Sequence, residues 1–562
     1  MLRTFWRSLR ARWAQLDRCD RLTALLLIAL VVVAMLTFRD YAISNDEQVQ
    51  HRYGEMIIAY WMSGFTDLRL FHFDNLYLYG GLFDIIAVLL AHALPFEPYA
   101  IRHVLCALIG IGGIAATAGT ARLIAGPRAG LIAAVALTIC GVWYGGMFNH
   151  TKDVPLGAMM IAATFFLLRA TRDLPHARWS DVLGFGLALG AALGLRAMAL
   201  LFVGYTGLAI LLQIPRFGRK TWGENARFVL LGSLRLFPAF ALAYLIMVAS
   251  WPWASLSPFN PVRAIFVFAH FHYEIRTIAA GTVYTMSTVP RWYVPLYLLI
   301  KVPPVVWAGA LLGLALAWRP ALLFGPDAER APSPATRREI ALLAFMVVFP
   351  PLCQVIGHGP AFTGMRHFLF VLPPLAVLAG TGFDALITAL EGRVQILAHA
   401  ASATLAAVLL WNVGLLVALH PDQYLYYSPL VGGLRGAAQR YDTDYWVNIM
   451  PEAVETLETY LNRTEGPLHG VPKHRYMVGV CGERLAFEKE ADGRLKWTDG
   501  WREADFFIAP THMHCDRAAD GKTIATIERL GVPIGVVKDR RSLVRPDIAR
   551  DRRRNTVPRR GS

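Results

Sequence analysis

The chain has little charge and little cysteine. Charged residues fill 17% of its 562 positions and only six residues are cysteine, whereas 55% are hydrophobic. A soluble protein of this length does not need so many long apolar runs, so most of the chain belongs in lipid. There is no Walker loop, GxGxxG, HExxH or CxxC, and no internal repeat of the kind common in transporters. Cys19, Cys106, Cys140 and Cys353 fall in or beside apolar runs and read as small hydrophobes. Cys481 and Cys515 lie in a polar C-terminal part, where they can pair if that part is extracytoplasmic. Acidic residues are also scarce: 40 against 55 Lys and Arg, a net charge of +15. The excess sits at the ends of apolar runs and in the two tails, which reads as membrane orientation and argues against a nucleic-acid partner.

Six arginines, Arg3 to Arg21, precede the apolar run 22–38. That run is long for a signal-peptide core and no small-residue cleavage site follows, so it is expected to be a retained span with a cytoplasmic basic end. A helix crossing a hydrocarbon core of roughly 30 Å needs about 20 residues. About eleven spans are predicted on this basis: 22–38, 101–124, 129–147, 154–168, 182–193, 197–214, 228–250, 296–318, 340–356, 368–387 and 396–419. The run 78–94 contains Gly80, Gly81, Asp84 and His92 and is read as a juxtamembrane helix that does not span. This choice keeps Arg122, Arg128, Arg169, Arg172, Arg178, Arg216, Arg219, Lys220, Arg227, Arg319, Arg330, Arg337, Arg338 and Arg393 on the cytoplasmic side. From Pro421 the composition changes. Strands are predicted at 475–480, 506–509 and 531–537 and a helix at 451–462. The expected organisation is a basic N-terminus (1–21), a transmembrane part (22–420), an extracytoplasmic α/β domain (421–539) and a basic disordered tail (540–562).

The same topology gathers the conspicuous polar residues on the outer side. Ser44-Asn45-Asp46-Glu47 follows the first span, with His51, Tyr53 and Glu55 beyond it. Ser44 and Glu47 fit a capping box, which explains Glu47 better than Asp46. An exposed carboxylate there can take a proton or hold a metal. Asp46, Glu47 and His51 are the candidates for a divalent cation; a solvated polar helix face is the competing reading. Asn149-His150-Thr151-Lys152-Asp153 precedes Pro155 and reads either as an ordinary helix start or as a phosphate- and sugar-binding cluster. The short runs 182–193 and 197–214 are joined by Gly194-Leu195-Arg196, so Arg196 lies in a depression, either snorkelling or paired. Trp251, Trp253, His270, His272, Arg291, Trp292 and Tyr293 mark the outer loop, as membrane anchors or a sugar platform. Arg366-His367 opens a span on the outer side, against the positive-inside trend, and offers a guanidinium fork for phosphate or for lipid headgroups.

The Asp46-Glu47 pair with Tyr53, the 149–155 cluster, Arg291-Trp292-Tyr293 and Arg366-His367 together resemble the lipid-carrier-dependent glycosyltransferases of the GT-C fold. That group includes protein O-mannosyltransferases and aminoarabinose transferases, and the likeness is to a bacterial branch. The resemblance covers 22–420 in layout. It implies a polytopic α-helical membrane protein of the bacterial inner membrane that moves a sugar from a polyprenyl-phosphate carrier on the periplasmic face. Asp46, with Glu47, would be the catalytic carboxylate. Asn149, His150, Lys152, Asp153, Arg196, Arg291, Trp292, Tyr293, Arg366 and His367 would bind substrate. The acceptor (glycolipid, polysaccharide or protein) and the sugar stay open. Two other classes fit the same features: a transporter or flippase using Arg196 and the outer cavity, and a scaffold presenting the C-terminal domain.

Overall fold

The computed structural model describes residues 13, 15–214, 221–270, 273–324, 331–472 and 474–544. Most of the N-terminal basic segment, Arg216, Arg219, Lys220, His272, Arg330 and the tail from residue 545 lie outside the described residues. Among the described residues, seven helices are long and apolar enough to cross a membrane: Arg18–Asp40, Pro98–Ala125, Asp153–Arg172, Trp222–Ser250, Pro334–Gly357, Arg366–Glu391 and Gln395–Ala418. Two bent pairs, Pro127–Thr138 with Gly141–Asn149 and Tyr293–Lys301 with Pro304–Trp318, raise the number to nine. The two remaining expected spans are the shorter apolar helices Trp179–Leu193 and Ala197–Leu211. The chain is a multi-pass helical membrane protein.

The helices sort their charges by end. The helix Pro98–Ala125 has Arg102 and His103 in its first turns and Arg122 in its last. The helix Asp153–Arg172 starts on Asp153 and ends on Arg169 and Arg172. At 1.5 Å per residue these ends lie roughly 30 Å apart, one hydrocarbon thickness. At the far end Arg122 pairs with Asp20, Arg128 with Asp384 and Glu391, and Arg172 with Glu339. The near end carries the candidate site.

The run 78–94 forms only a twelve-residue helix, Leu82–Ala93. Its entry is wedged against the hairpin tip: Leu82 N donates to Gly194 O at 3.0 Å and Gly81 N to Ser250 O at 2.9 Å. A Cβ at Gly80 would lie 2.0 Å from Gly194 O, so only glycine fits this crossing. The wedge sets Tyr79 beside Arg196, and Asp84 follows two residues into the helix. Trp251, one of the expected interfacial aromatics, is wholly buried instead and donates through its indole to Tyr77 O at 2.8 Å. The outer loop also contains a hairpin that was not expected, β1 (Arg276–Ala279) with β2 (Thr282–Thr285).

The C-terminal sheet has five strands: β3 (Tyr476–Val480), β4 (Leu495–Thr498), β5 (Phe506–Pro510), β6 (Lys522–Arg529) and β7 (Val532–Asp539), in the order β4-β3-β5-β7-β6. β3 runs parallel to both β4 and β5, and β7 is antiparallel to β5 and β6. The helix Met450–Glu465 buries Val454, Leu457 and Leu461, the three apolar positions read from its periodicity. Cys481 and Cys515 form a disulfide. Arg540 and Arg541, expected in a disordered tail, are buried: Arg541 pairs with Glu465 and Asp539, and Arg540 donates to the Ala504 carbonyl. A guanidinium satisfies many acceptors at once, so a basic run can close a fold as well as fray from it.

Candidate functional site

Asp46 lies at the start of the helix Glu47–Met62, at the near end of the bundle. Its Oδ2 accepts from Arg366 Nη2 at 2.5 Å, and its Oδ1 has no hydrogen-bond partner among the described residues. The same guanidinium reaches Asp153 Oδ2 through Nε at 3.0 Å, and Arg196 Nη2 meets Asp153 Oδ1 at 2.7 Å. Asp46, Arg366, Asp153 and Arg196 therefore form one chain of alternating charge drawn from four distant segments. Asp153 is 4% exposed and Asp46 37%, so the first is enclosed by its two arginines and the second faces outward.

Lys152 is the second anchor. Its side chain is 3% exposed, and Nζ lies 3.8 Å from Asp84 Oδ2 and 4.7 Å from the centre of the Tyr79 ring. Among the described residues it has no hydrogen-bond partner, which leaves a buried ammonium with unused donors. Burial pushes its pKa down to about 8, with Asp84 opposing the shift. Arg196 stacks on the other side of the site against Tyr79, 5.3 Å from the ring centre. Asp84 is shared with Arg102, whose Nη2 donates at 2.8 Å.

Asn149 and His150 join the site at its floor. Asn149 Nδ2 donates to Asn448 Oδ1 at 3.4 Å, and the Trp446 indole donates to His150 Nε2. Burial pushes the His150 imidazole down to about 3, so it is neutral at ordinary pH. Trp446 also carries Arg366 over its face, 4.4 Å from the ring centre. His367 is half-buried beside these groups and packs edge-on against Phe362.

Several expected members are elsewhere. Glu47 is wholly buried: Oε2 accepts from Ser44 N at 2.8 Å and faces His103 Nε2 at 3.2 Å, while Oε1 sits 3.8 Å from Arg102. Only half of the capping box forms, because the Ser44 hydroxyl donates to Asn149 O instead. Glu47 therefore braces the helix start, with its carboxylate enclosed by these partners. His51 faces Glu55 at 3.6 Å, and among the described residues no group of three or more His, Cys, Asp or Glu converges on a metal position. Arg291 caps the carbonyls of Val355 and Ile356 at 2.7 and 2.9 Å and Trp292 is exposed, so neither joins the cluster. Tyr293 is buried one layer behind it and donates to Asp442 Oδ2 at 3.0 Å.

The structure adds residues the sequence reading missed. Asp442 accepts from Tyr293, Tyr297 and Thr277 and from Gly364 N at 3.1 Å, which fixes the turn just before Arg366. With Lys301, His150, Arg366 and Tyr445 it lines a void of about 10 Å³, room for one water. Asp422 accepts from Asn448 Nδ2 at 2.8 Å and pairs with Arg529 of the sheet at 2.9 Å. Burial, and then the charge of Asp444, push Asp422 up. The segment Pro421–Ile449, expected to open the α/β domain, instead forms the site's floor. The run Tyr441-Asp442-Thr443-Asp444-Tyr445-Trp446, acidic and aromatic together, was the available signal.

Residues 82–251 match the family model described as dolichyl-phosphate-mannose-protein mannosyltransferase. That stretch carries Asp84, Lys152, Asp153 and Arg196. No curated protein sequence matches the chain. Among solved structures, ArnT from Cupriavidus metallidurans bound to undecaprenyl phosphate is 16% identical, with a TM-score of 0.46 over 92% of this chain and 97% of that one. An Archaeoglobus fulgidus oligosaccharyltransferase is 12% identical, with a TM-score of 0.40 over 86% of this chain and 68% of that one. Arabinofuranosyltransferase AftD from Mycobacteria is 11% identical, with a TM-score of 0.39 over 92% of this chain and 41% of that one. The family match agrees with the resemblance to GT-C glycosyltransferases read from the residues.

Proposed function

We propose that this chain is a membrane glycosyltransferase that moves a sugar from a polyprenyl-phosphate carrier to an acceptor at the outer face of a bacterial inner membrane. The observation that carries this reading is the buried Lys152 ammonium with unused donors, set with Arg196 over the Tyr79 ring, while Asp153 joins Arg196 to Arg366 and so to the half-open Asp46. Three cations around one accessible carboxylate suit a reaction in which a phosphate leaves and a nucleophile loses a proton. The match to a mannosyltransferase family model over 82–251 supports the same class.

In this mechanism the carrier phosphate sits against Lys152, Arg196 and Arg366, displacing part of the Arg366 pairing with Asp153. Asp46 Oδ1 accepts the proton of the acceptor nucleophile, which forms a bond to the anomeric carbon. The bond from that carbon to the phosphate oxygen breaks, and its electron pair leaves with the polyprenyl phosphate, where the three cations stabilise the growing charge. Asp153 reacts with nothing: it holds Arg366 and Arg196 in register. The disulfide Cys481–Cys515 supports an oxidising compartment on the side of the site.

The test is release of free polyprenyl phosphate by the purified full-length protein from a panel of polyprenyl-phosphate sugars. The parent releases it in the presence of candidate acceptors, and Asp46→Asn lowers the rate by at least about a hundredfold, the usual worth of a general base. Equal release by parent and variant, or none from any donor with folded protein, would sink the proposal.

A further inference from the structure

Two further cavities are lined in part by the floor segment, and neither is lined by Lys152, Arg196 or Arg366. The first is an apolar groove of about 280 Å³, walled by Trp411, Leu415, Leu419, Tyr426, Leu434 and Leu530. Trp411 and Leu415 belong to the last turns of the span Gln395–Ala418, and Trp411 is 71% exposed. The second is a cleft of about 540 Å³ walled by Arg435, Arg440, His514 and Arg517, with one carboxylate, Asp516. Among the described residues no carboxylate lies within 4.0 Å of those three guanidinium groups.

The cavities abut at two points of the chain. Leu434 lines the groove and its neighbour Arg435 the cleft; Leu530 lines the groove and its neighbour Gly531 the cleft. Both junctions are tight turns: Leu530 and Gly531 take φ of 51° and 70°, and the helix carrying Leu434 and Arg435 follows Gly432 at 78°. Arg435 Nη2 lies 3.8 Å from where a Cβ on Gly531 would stand, so the guanidinium reaches across the β6–β7 turn. The order from membrane outward is exposed tryptophan, apolar groove, arginine cleft. A phosphate-bearing lipid has the same order, with its chain in hydrocarbon and its phosphate at the boundary.

We propose that these joined cavities bind an anionic membrane lipid, its chain in the groove and its phosphate among Arg435, Arg440 and Arg517. The site is separate from the carrier site and does not depend on the transferase reading. Arginine suits phosphate because its planar fork donates two parallel hydrogen bonds and keeps its charge. Charge complementarity favours a net-negative headgroup over a zwitterionic one.

The test is native mass spectrometry of the full-length protein in detergent with equal phosphatidylglycerol and phosphatidylcholine, alongside thermal unfolding of every variant. The parent is expected to retain phosphatidylglycerol over phosphatidylcholine by about fivefold, the scale of one exposed charge contact, because the choline ammonium opposes the guanidinium cluster. The triple variant Arg435→Gln, Arg440→Gln, Arg517→Gln should lose that preference. Trp411→Ala, at an exposed position, should lower retention of phosphatidylglycerol while leaving the unfolding temperature near the parent's. A preference that survives the triple substitution overturns the proposal. So does displacement of the lipid by glycerol 3-phosphate at the concentration at which phosphatidylglycerol itself competes, which would assign the cleft to a soluble phosphate. Unchanged retention in Trp411→Ala overturns the role of the groove and with it the lipid.

Discussion

Asp46 and Glu47 are neighbours in the chain and face opposite ways. Helix geometry turns successive residues by about 100°, so one of the pair looks out of the bundle and the other into it. Glu47 meets Ser44 N, His103 and Arg102, all buried, whereas Asp46 meets one guanidinium and the open side. Glu47→Gln is therefore expected to destabilise the protein by about 1–3 kcal/mol, the cost of disturbing a charged buried hydrogen bond, which thermal unfolding would read directly. Asp46→Asn should leave the unfolding temperature close to the parent's while turnover collapses. Asp153→Asn should do both, because Arg366 and Arg196 then face each other with half their counter-charge gone; breaking such a buried pair costs about 3–5 kcal/mol. Lys152 supplies a pH signature. Its pKa lies below that of an ordinary lysine, at about 8, so the ammonium is present below that pH and is lost as pH rises through it. On the proposed role, kcat/KM for the lipid donor falls above pH about 8 and Lys152→Arg, which stays charged, removes the fall. A profile flat to pH 10 in the parent would remove Lys152 from donor binding.

At the scale of elements, the crossing of 79–82 over the hairpin tip 194–196 determines whether the cluster exists. Each segment carries part of the site: Tyr79, with Asp84 just beyond it, on one and Arg196 on the other. Their contact is backbone on backbone at Gly80 and Gly194. Gly80→Ala should cost about 1–3 kcal/mol through overpacking and should weaken donor binding by moving Tyr79 and Asp84. Gly204→Ala, where an added Cβ meets nothing within 4 Å, is the control and should change neither the unfolding temperature nor the donor KM. This layer was half legible. Gly80 and Gly81 broke the apolar run and marked it as no ordinary span, and the Gly194-Leu195-Arg196 turn put Arg196 at depth. That the two features pack together was not legible, because glycine shows where backbones can approach and not which backbone arrives.

For the whole molecule, the floor segment 421–449 couples the bundle to the sheet, through Trp446 to His150 on one side and Asp422 to Arg529 on the other. The disulfide in the sheet spans 34 residues, a loop whose closure is worth about 4 kcal/mol by chain entropy. Cys481→Ser with Cys515→Ser is expected to lower the unfolding temperature of the full-length protein, and reductant should then have no further effect. A parent that reacts with maleimide at Cys515 without reductant would contradict the pairing and the oxidising compartment. A cysteine placed at exposed Glu488 should be labelled in intact cells by a membrane-impermeant maleimide if the site faces outward; protection of that position would reverse the topology. What the sequence determined by itself is what depends on composition along the chain: that it lies in a membrane, where its long apolar helices run, that arginines gather at one end of them, and that a small α/β part follows. Hydrocarbon length and the cost of burying charge write those facts locally. Which charges meet was decided only by the tertiary structure. Arg366 finds Asp46 across 320 positions and Asp153 across 213, whereas Arg291, identical in chemistry, donates to the carbonyls of Val355 and Ile356. A charge is conspicuous in an apolar sequence wherever it falls, but its partner is set by helix packing, and packing is a property of surfaces that come together only in the folded bundle.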